Sequence, residues 1–272
     1  MNIKTVSSPQ NPVYKADLKL KRAAHARKED VFIVEGVRAV EELVKAKGWT
    51  IREAFVSQNK EEAMKPLLEA MGDVPILSVP YDMLQNLSET QTPQGILAVV
   101  KRRHFNAEGI VDSLLRTKLN PFLILLENLQ DPGNVGTILR SADAMGAQIV
   151  LVSKDTCDVY SGKVVRAAMG SLLHLPVCEI DSVPQAADML HSRGIKLTAG
   201  HLKGTKASFE ADLTGPVCLM IGNEGSGLSE EASLAADQLV RIPMPGHAES
   251  LNAAMAAGML MYETVRQRSI HA

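Results

Sequence analysis

At 272 residues the chain is long for one domain and fits one large or two modest ones. Hydrophobic residues make up 46% and charged residues 22%, which allows a packed core and excludes the composition of a disordered chain. A formal net charge of −2 excludes a uniformly basic binder of polyanions, so any nucleic-acid surface must be local.

Three cysteines, Cys157, Cys178 and Cys218, are far apart and odd in number. They fit neither a disulfide framework nor a metal-ligand spacing, so buried thiols in a reducing compartment are expected and no metal is assigned. The N-terminal MNIKTVSSPQNPVYK lacks the apolar core of a secretory signal. No apolar run is long enough to span a membrane. The expectation is a soluble cytoplasmic protein.

In chain order, KADLKLKRAAHARK at 15–28 carries six Lys or Arg against one Asp and reads as a basic helix or arm. Charge alone makes it a solvated helix face. DVFIVEGVRAVEELVKAKG gives an apolar strand, a turn at Glu35-Gly36 and a helix with Val37, Val40, Leu43 and Val44 on one face. EAFVS and PILSVP read as strands with a helix between them, and TPQGILAVV as a turn and a strand, so residues 1–105 form a small α/β unit. KRRHF is a second basic cluster, and the stretch 106–120 is expected to link two domains. From 121 onward FLILLENL, QIVLVS, LPVCEI, IKLTAG, VCLMIG and QLVRIP are near-continuously apolar. That pattern predicts a largely parallel sheet covered on both faces over 121–272.

Ligands of open α/β sheets bind beyond the carboxyl ends of the strands, and three motifs occupy such places. In ENLQDPGNVGTILRSADAMG, Asp131 and Pro132 suit a helix N-cap and first position. Val135, Ile138, Leu139, Ala142 and Met145 share a face, and Arg140 projects from roughly the opposite side. Taken singly, Arg140 reads as a solvated arginine and Asn134 as a helix-start residue. CLMIGNEGSGLSEE runs a strand into a glycine turn and a helix with Ser229 as a candidate cap. The Gly222–Gly227 spacing matches a P-loop, but Leu228-Ser229 stand where that loop needs Lys-Ser/Thr. PMPGHAESLNAAMAAGMLMYE leads from a loop into a helix of small and apolar residues expected to be buried all round, with Ser250 as a candidate cap and Asn252 as a buried amide needing partners.

Together and in this order, the three motifs resemble those of the SpoU (TrmH-type) RNA ribose 2′-O-methyltransferases over about residues 121–268. SSPQNPVYK, FIVEGVR and TPQGILAVV resemble the small ribosomal-protein-like substrate-binding domain that often precedes it. The resemblance implies an α/β fold whose catalytic domain is trefoil-knotted, dimeric, and binds S-adenosylmethionine. Pattern reasoning alone argues against a knot. By the same likeness, Thr198, Ala199, Gly200, Gly222, Asn223, Gly227, Ile242, Met244 and Leu251 would hold the cofactor. Arg140 would activate the ribose 2′-hydroxyl, with Asn134, Glu224, Ser250 and Asn252 orienting Arg140, ribose and cofactor. Lys19, Lys21, Arg22, Arg27, Lys28, Arg102 and Arg103 become an RNA footprint. Ribosomal RNA is preferred to transfer RNA, because the N-terminal domain resembles those of rRNA-modifying members. A tRNA methyltransferase, a base-nitrogen methyltransferase of the same fold and an inactive RNA-binding assembly factor are the alternatives.

Overall fold

The computed structural model describes residues 2–117 and 120–270. Lys118 and Leu119, at the end of the expected link, lie outside the described residues. The chain divides into two compact units, Met1–Arg103 with Tyr160–Leu173, and His104–Val159 with His174–Ala272.

The first unit runs β1 (Asn2–Thr5), α1 (Pro12–Leu18), α2 (Ala23–Lys28), β2 (Val31–Glu35), α3 (Val37–Lys45), β3 (Ile51–Ser57), α4 (Lys65–Ala70), β4 (Pro75–Val79), α5 (Tyr81–Leu87) and β5 (Ile96–Lys101). Its sheet has the order β1-β4-β3-β5-β2. β1, β4 and β3 are parallel, and β5 runs antiparallel to both neighbours. The 15–28 stretch is not one helix: Arg22 is extended between a short 3-10 turn and α2. Asn11 starts α1 by accepting from Val13 N and Tyr14 N.

Residues 160–173 belong to this unit although they follow a strand of the second. Here α8 (Gly162–Ala167) packs on β2. The Tyr160 ring lies 4.8 Å from that of Phe32, and Trp49 meets Phe32 edge-on at 5.6 Å. The Tyr160 hydroxyl donates to the Arg103 carbonyl at 2.8 Å, and Trp49 Nε1 donates to the Leu173 carbonyl at 2.9 Å. The expectation of two consecutive domains had no signal for this excursion, because its partners are some sixty to a hundred and thirty residues away in sequence.

A buried charge cluster ties α1 to β3. Asp17 is 1% exposed, pairs through Oδ1 with Arg52, and leaves Oδ2 without a hydrogen bond. Arg52 Nε also donates to Glu53 Oε1 at 2.6 Å. Burial, then the charge of Glu53, push the Asp17 carboxyl up to about 7, with Arg52 pulling the other way. A carboxyl with a raised folded-state pKa keeps its proton where the unfolded chain has lost it, so its contribution falls as pH rises from about 4 to about 7. Calorimetry should therefore show the melting temperature falling over that window, and a shallower fall in Asp17→Asn. Equal slopes in the two proteins would remove Asp17 from this role.

The second unit opens with α6 (Ala107–Arg116), started by Asn106 accepting from Gly109 N. The stretch expected as a link is thus largely a helix whose Val111 is fully buried against the sheet. There follow β6 (Phe122–Leu126), α7 (Pro132–Ala144), β7 (Ile149–Ser153), β8 (Val177–Ile180), α9 (Val183–His191), β9 (Lys196–Gly200), β10 (Lys206–Ala207), β11 (Val217–Ile221), α10 (Glu230–Ala235), β12 (Gln238–Arg241) and α11 (Ala253–Ile270). The seven strands lie in the order β10-β12-β9-β11-β6-β7-β8, and every pair is parallel. That matches the largely parallel sheet expected from the apolar runs. All five residues of β6 and of β11 are buried, as a strand covered on both faces requires. Leu123 and Leu125 join the core with residues of α6, α9 and α10. The alternate positions point the other way, and α11 packs against α7, β11 and β9.

From β6 the strands step outward through β7 to β8, and β9 then appears on the other side of β6 with β11 between them. The direction of winding therefore reverses beside β6 and β11. At such a point the loops leaving adjacent strands diverge and open a crevice at the carboxyl ends.

Candidate active site

The loops that leave β6 and β11 carry the first two sequence motifs and are joined by hydrogen bonds at this end of the sheet. Asp131 caps α7 by accepting from Gly133 N at 2.9 Å, with Pro132 opening the helix. After β11 the chain makes a tight hairpin in which Asn223 and Gly227 exchange two backbone hydrogen bonds of 2.9 Å. A Cβ at Gly222 would fall 2.2 Å from backbone atoms of Gly227 and Leu228, and Gly227 has φ +73°, so both positions need glycine. Asn223 fills the hairpin by accepting from Gly225 N and Ser226 N, and Ser229 caps α10 as expected.

Glu224 sits at the tip of that hairpin. Its Oε1 accepts from Asp131 N and Asn134 Nδ2, both at 3.1 Å, and its Oε2 accepts from Gln130 N at 3.2 Å. Because the Asn134 amide nitrogen faces the carboxylate, its oxygen faces away and accepts from Asn252 Nδ2 at 2.8 Å. Asn252 Oδ1 in turn accepts from Ala254 N and Met255 N. A directional chain of hydrogen bonds thus runs from the start of α11 through Asn252 and Asn134 to one anion. Burial works against the Glu224 charge, but Asn134 and the backbone N–H groups of Glu224, Gln130 and Asp131 outweigh it and hold the carboxyl below its ordinary range. Each amide nitrogen in the chain has a second N–H beyond the one used here. Those hydrogens and an anion beside the carboxyl ends of adjacent strands suit the orientation of a polar ligand.

The cap of α11 is Asn252 and not Ser250, which lies exposed in the preceding loop. Asn252 is itself largely exposed, so its order comes from hydrogen bonds rather than from burial. The α11 helix is not buried all round: Met255, Met259 and Tyr262 are exposed in steps of four and three residues, along one face. Arg140 is exposed on α7. Six residues of helix place it about 120° around the axis from Asn134 and about 9 Å along it. The chain therefore assembles Asn134, Glu224 and Asn252, and leaves Arg140 and Ser250 outside that hydrogen-bonded set.

The residues expected to hold a cofactor lie at the carboxyl ends of β9, β11 and β12, three neighbouring strands. Thr198 is fully buried and its Oγ1 accepts from Gln238 Nε2 at 2.8 Å, so its side chain is committed within the sheet. Ala199 is buried, and Gly200 is half-buried against Leu260. Gly222 is buried and Asn223 half-buried in the hairpin, while Ile242, Met244 and Leu251 are half-buried in the loop that follows β12.

Of the expected RNA contacts, Lys19, Lys21, Arg22, Arg27 and Lys28 are exposed, and Lys21 Nζ donates to the Asn86 carbonyl. Arg102 and Arg103 are half-buried. Arg102 lies over Tyr160 and donates to the Val31 carbonyl, and Arg103 lies over Trp49. Cation–π packing accounts for the placement of both guanidinium groups and leaves their in-plane N–H donors at the edge of each ring. The sequence reading also passed over Asn128, Gln130 and Glu127. Glu127 accepts from both the backbone and the hydroxyl of Ser229 and so ties the two loops together. Its signal was a carboxylate directly after a wholly apolar strand.

A model described as the SpoU rRNA Methylase family matches residues 121–262, and one described as an MRM3-like substrate binding domain matches residues 11–98. The 23S rRNA (guanosine-2′-O-)-methyltransferase RlmB of Shewanella oneidensis is 34% identical over 246 residues, covering 89% of this chain and 99% of that protein. The 23S rRNA (uridine(2479)-2′-O)-methyltransferase of Streptomyces viridochromogenes is 37% identical over 247 residues, 87% of this chain and 83% of that protein. Among solved structures, the SpoU methyltransferase AviRb of Streptomyces viridochromogenes in complex with AdoMet superposes with a TM-score of 0.86 at 32% identity, covering 96% of this chain and 99% of that one.

Proposed function

The chain belongs to the SpoU rRNA methylase family, and on that premise we propose that it transfers the methyl group of S-adenosylmethionine to a ribose 2′-hydroxyl of ribosomal RNA. The observation that carries the reading is the Glu224–Asn134–Asn252 chain at the point where the winding of the sheet reverses. The relatives described above as 23S rRNA 2′-O-methyltransferases support the substrate class.

The residues present fit the cofactor. Half-buried Ile242, Met244 and Leu251 suit a neutral purine, and the Glu224 carboxylate suits a cationic sulfonium nearby. When bound, S-adenosylmethionine supplies a methyl group activated by positively charged sulfur. The chain has to place a hydroxyl oxygen in line with that methyl and help its proton depart, and positioning is the larger share of such a displacement. Asn134 and Asn252, fixed end to end, offer their second N–H groups to oxygens of the ribose or the cofactor. Glu224 fixes which end of each amide faces the substrate. Arg140 meets the RNA on the open face of α7, where it holds a phosphate and stabilises the developing alkoxide. A guanidinium normally stays protonated, so oxyanion stabilisation is the favoured role.

The 2′-hydroxyl is also what distinguishes RNA from DNA. Exposed Lys19, Lys21, Arg22, Arg27 and Lys28 supply a local cationic surface on a chain whose net charge is −2. The exposed Met255, Met259 and Tyr262 stripe supports a homodimer, since an apolar row on the surface is explained by a second copy covering it. The trefoil knot is part of the same reading, supported by family membership and by β11 threading between β6 and β9. No described helix is long and apolar enough to cross a membrane, and the three cysteines are unpaired; a cytoplasmic location accords with both.

The test is incubation with tritiated S-adenosylmethionine and deproteinised ribosomal RNA from cells lacking the protein, followed by alkaline hydrolysis. Label in alkali-resistant dinucleotides is the expected result, because a methylated 2′-oxygen cannot assist cleavage. Label confined to mononucleotides would assign the methyl to a base.

A further inference from the structure

The loop after β6 is held by a side chain of the first motif that the proposed chemistry does not use. Gln130 Nε2 donates to Asn128 Oδ1 at 2.7 Å and to the Asp155 carbonyl at 2.5 Å, tying this loop to the one after β7. A backbone bond of 2.8 Å from Cys157 N to the Leu129 carbonyl runs alongside. Asn128 itself takes φ +55°, a left-handed conformation that asparagine tolerates better than most residues. In that conformation its N donates to Ser153 Oγ and its carbonyl accepts from Asn223 Nδ2 at 2.7 Å. The same bend turns the N–H groups of Gln130 and Asp131 toward the two oxygens of Glu224.

We propose that Gln130 is a positioning residue for methyl transfer: its side-chain amide clamps the Asn128–Asp131 bend so that two peptide N–H groups fix the Glu224 carboxylate, and with it the Asn134–Asn252 chain. The inference rests on the reading of that chain as the transfer site. Gln130 reaches the chain through Glu224, which accepts from its N–H. Without the clamp, Asn128 Oδ1 and the Asp155 carbonyl lose a donor and the bend is free to turn its N–H groups away. Glu224 then keeps Asn134 and its own N–H as donors but is no longer held at both oxygens, and the amide chain loses its fixed end.

The experiment compares the full-length wild type with Gln130→Ala and Asn128→Gly, using the same deproteinised ribosomal RNA and tritiated S-adenosylmethionine. Asn128→Gly removes the side-chain acceptor of the clamp, leaving the Asp155 carbonyl, with a residue that adopts φ +55° freely, so it serves if Gln130→Ala fails to fold. Both variants should lower the single-turnover rate about tenfold or more, with calorimetric affinity for S-adenosylmethionine within about threefold of wild type. Their pH–rate profiles should lose activity at higher pH on the acid side, since Glu224 has lost donors that favour its charged form. A purely structural role would not move that limb. Wild-type rates in both variants, or lower rates with an unmoved acid limb, would overturn the proposal while the proposed function stands. A wild type that transfers no methyl under these conditions would overturn both.

Discussion

Replacing Arg140 by alanine is expected to lower methyl transfer by about two to three orders of magnitude, the range seen when one preorganised donor to a developing oxyanion is removed. The melting temperature and the affinity for S-adenosylmethionine should barely change. The reasoning is local. Arg140 is exposed on α7, opposite the buried face formed by Val135, Ile138, Leu139 and Ala142. Truncating such a side chain leaves no cavity and breaks no capping bond, so its folding cost should stay within about 0.5 kcal/mol. Lost activity would then report on chemistry or RNA placement alone. Arg140→Lys separates the two, since lysine keeps the charge but not the planar fork of donors. Calorimetry showing weakened cofactor binding in Arg140→Ala would instead place this side chain in the cofactor pocket.

The second large effect is expected from Asn134→Asp, a change of almost no volume. It converts an amide that donates to Glu224 at 3.1 Å into a second carboxyl at the same distance. Two carboxylates so close cannot both ionise, so one of them takes up a proton. At acid pH the protonated aspartate can donate to Glu224 as the amide did, and the chain to Asn252 is restored. At pH 8 the proton is lost only against repulsion. The new carboxyl has a folded-state pKa above its unfolded value, so the variant's stability falls as pH rises through that interval, while Asn134→Ala lacks this dependence. Unfolding should show the variant about 1–3 kcal/mol less stable than wild type at alkaline pH and close to it near pH 5. Methyl transfer should fall about a hundredfold at neutral pH and recover in part on acidification. An unchanged pH dependence of stability would mean that Asn134 and Glu224 do not face each other.

Much of the second unit could be read from its sequence because a parallel sheet buried on both faces writes itself as apolar runs. FLILL, IVLVS and VCLMI announced β6, β7 and β11 directly. The edge strands β1 and β10 escaped, since NIKT and the two residues KA contain no such run. The cap of α11 was placed at Ser250 and is Asn252, because either side-chain type can cap a helix and only geometry selects the residue. The exposed face of α11 was hidden by alanine, methionine and glycine, which look alike on a buried face and on an exposed one.

Charge was a weaker guide than hydrophobic pattern. Arg102 and Arg103 read as part of a phosphate-binding patch, and nothing local showed that they also pack on Tyr160 and Trp49, rings more than fifty residues away on either side. The first two motifs did mark one end of the sheet, because the loops leaving parallel strands β6 and β11 emerge at its carboxyl end. They could not show that Asn134, Glu224 and Asn252 form one chain. That depends on which end of each amide faces its neighbour, and tertiary structure alone decides it. Gln130 was invisible for the same reason, its partners being a side chain two residues back and a carbonyl on another loop.

The central claim is that this chain methylates a ribose 2′-oxygen of ribosomal RNA. Ribose-methylation mapping of total RNA from cells with the gene, without it, and carrying Arg140→Ala tests that most directly. The prediction is a protected 2′-oxygen in ribosomal RNA that disappears with the gene and stays absent in the Arg140→Ala strain. Identical ribosomal RNA maps in all three strains, or a lost signal confined to transfer RNA, would contradict it.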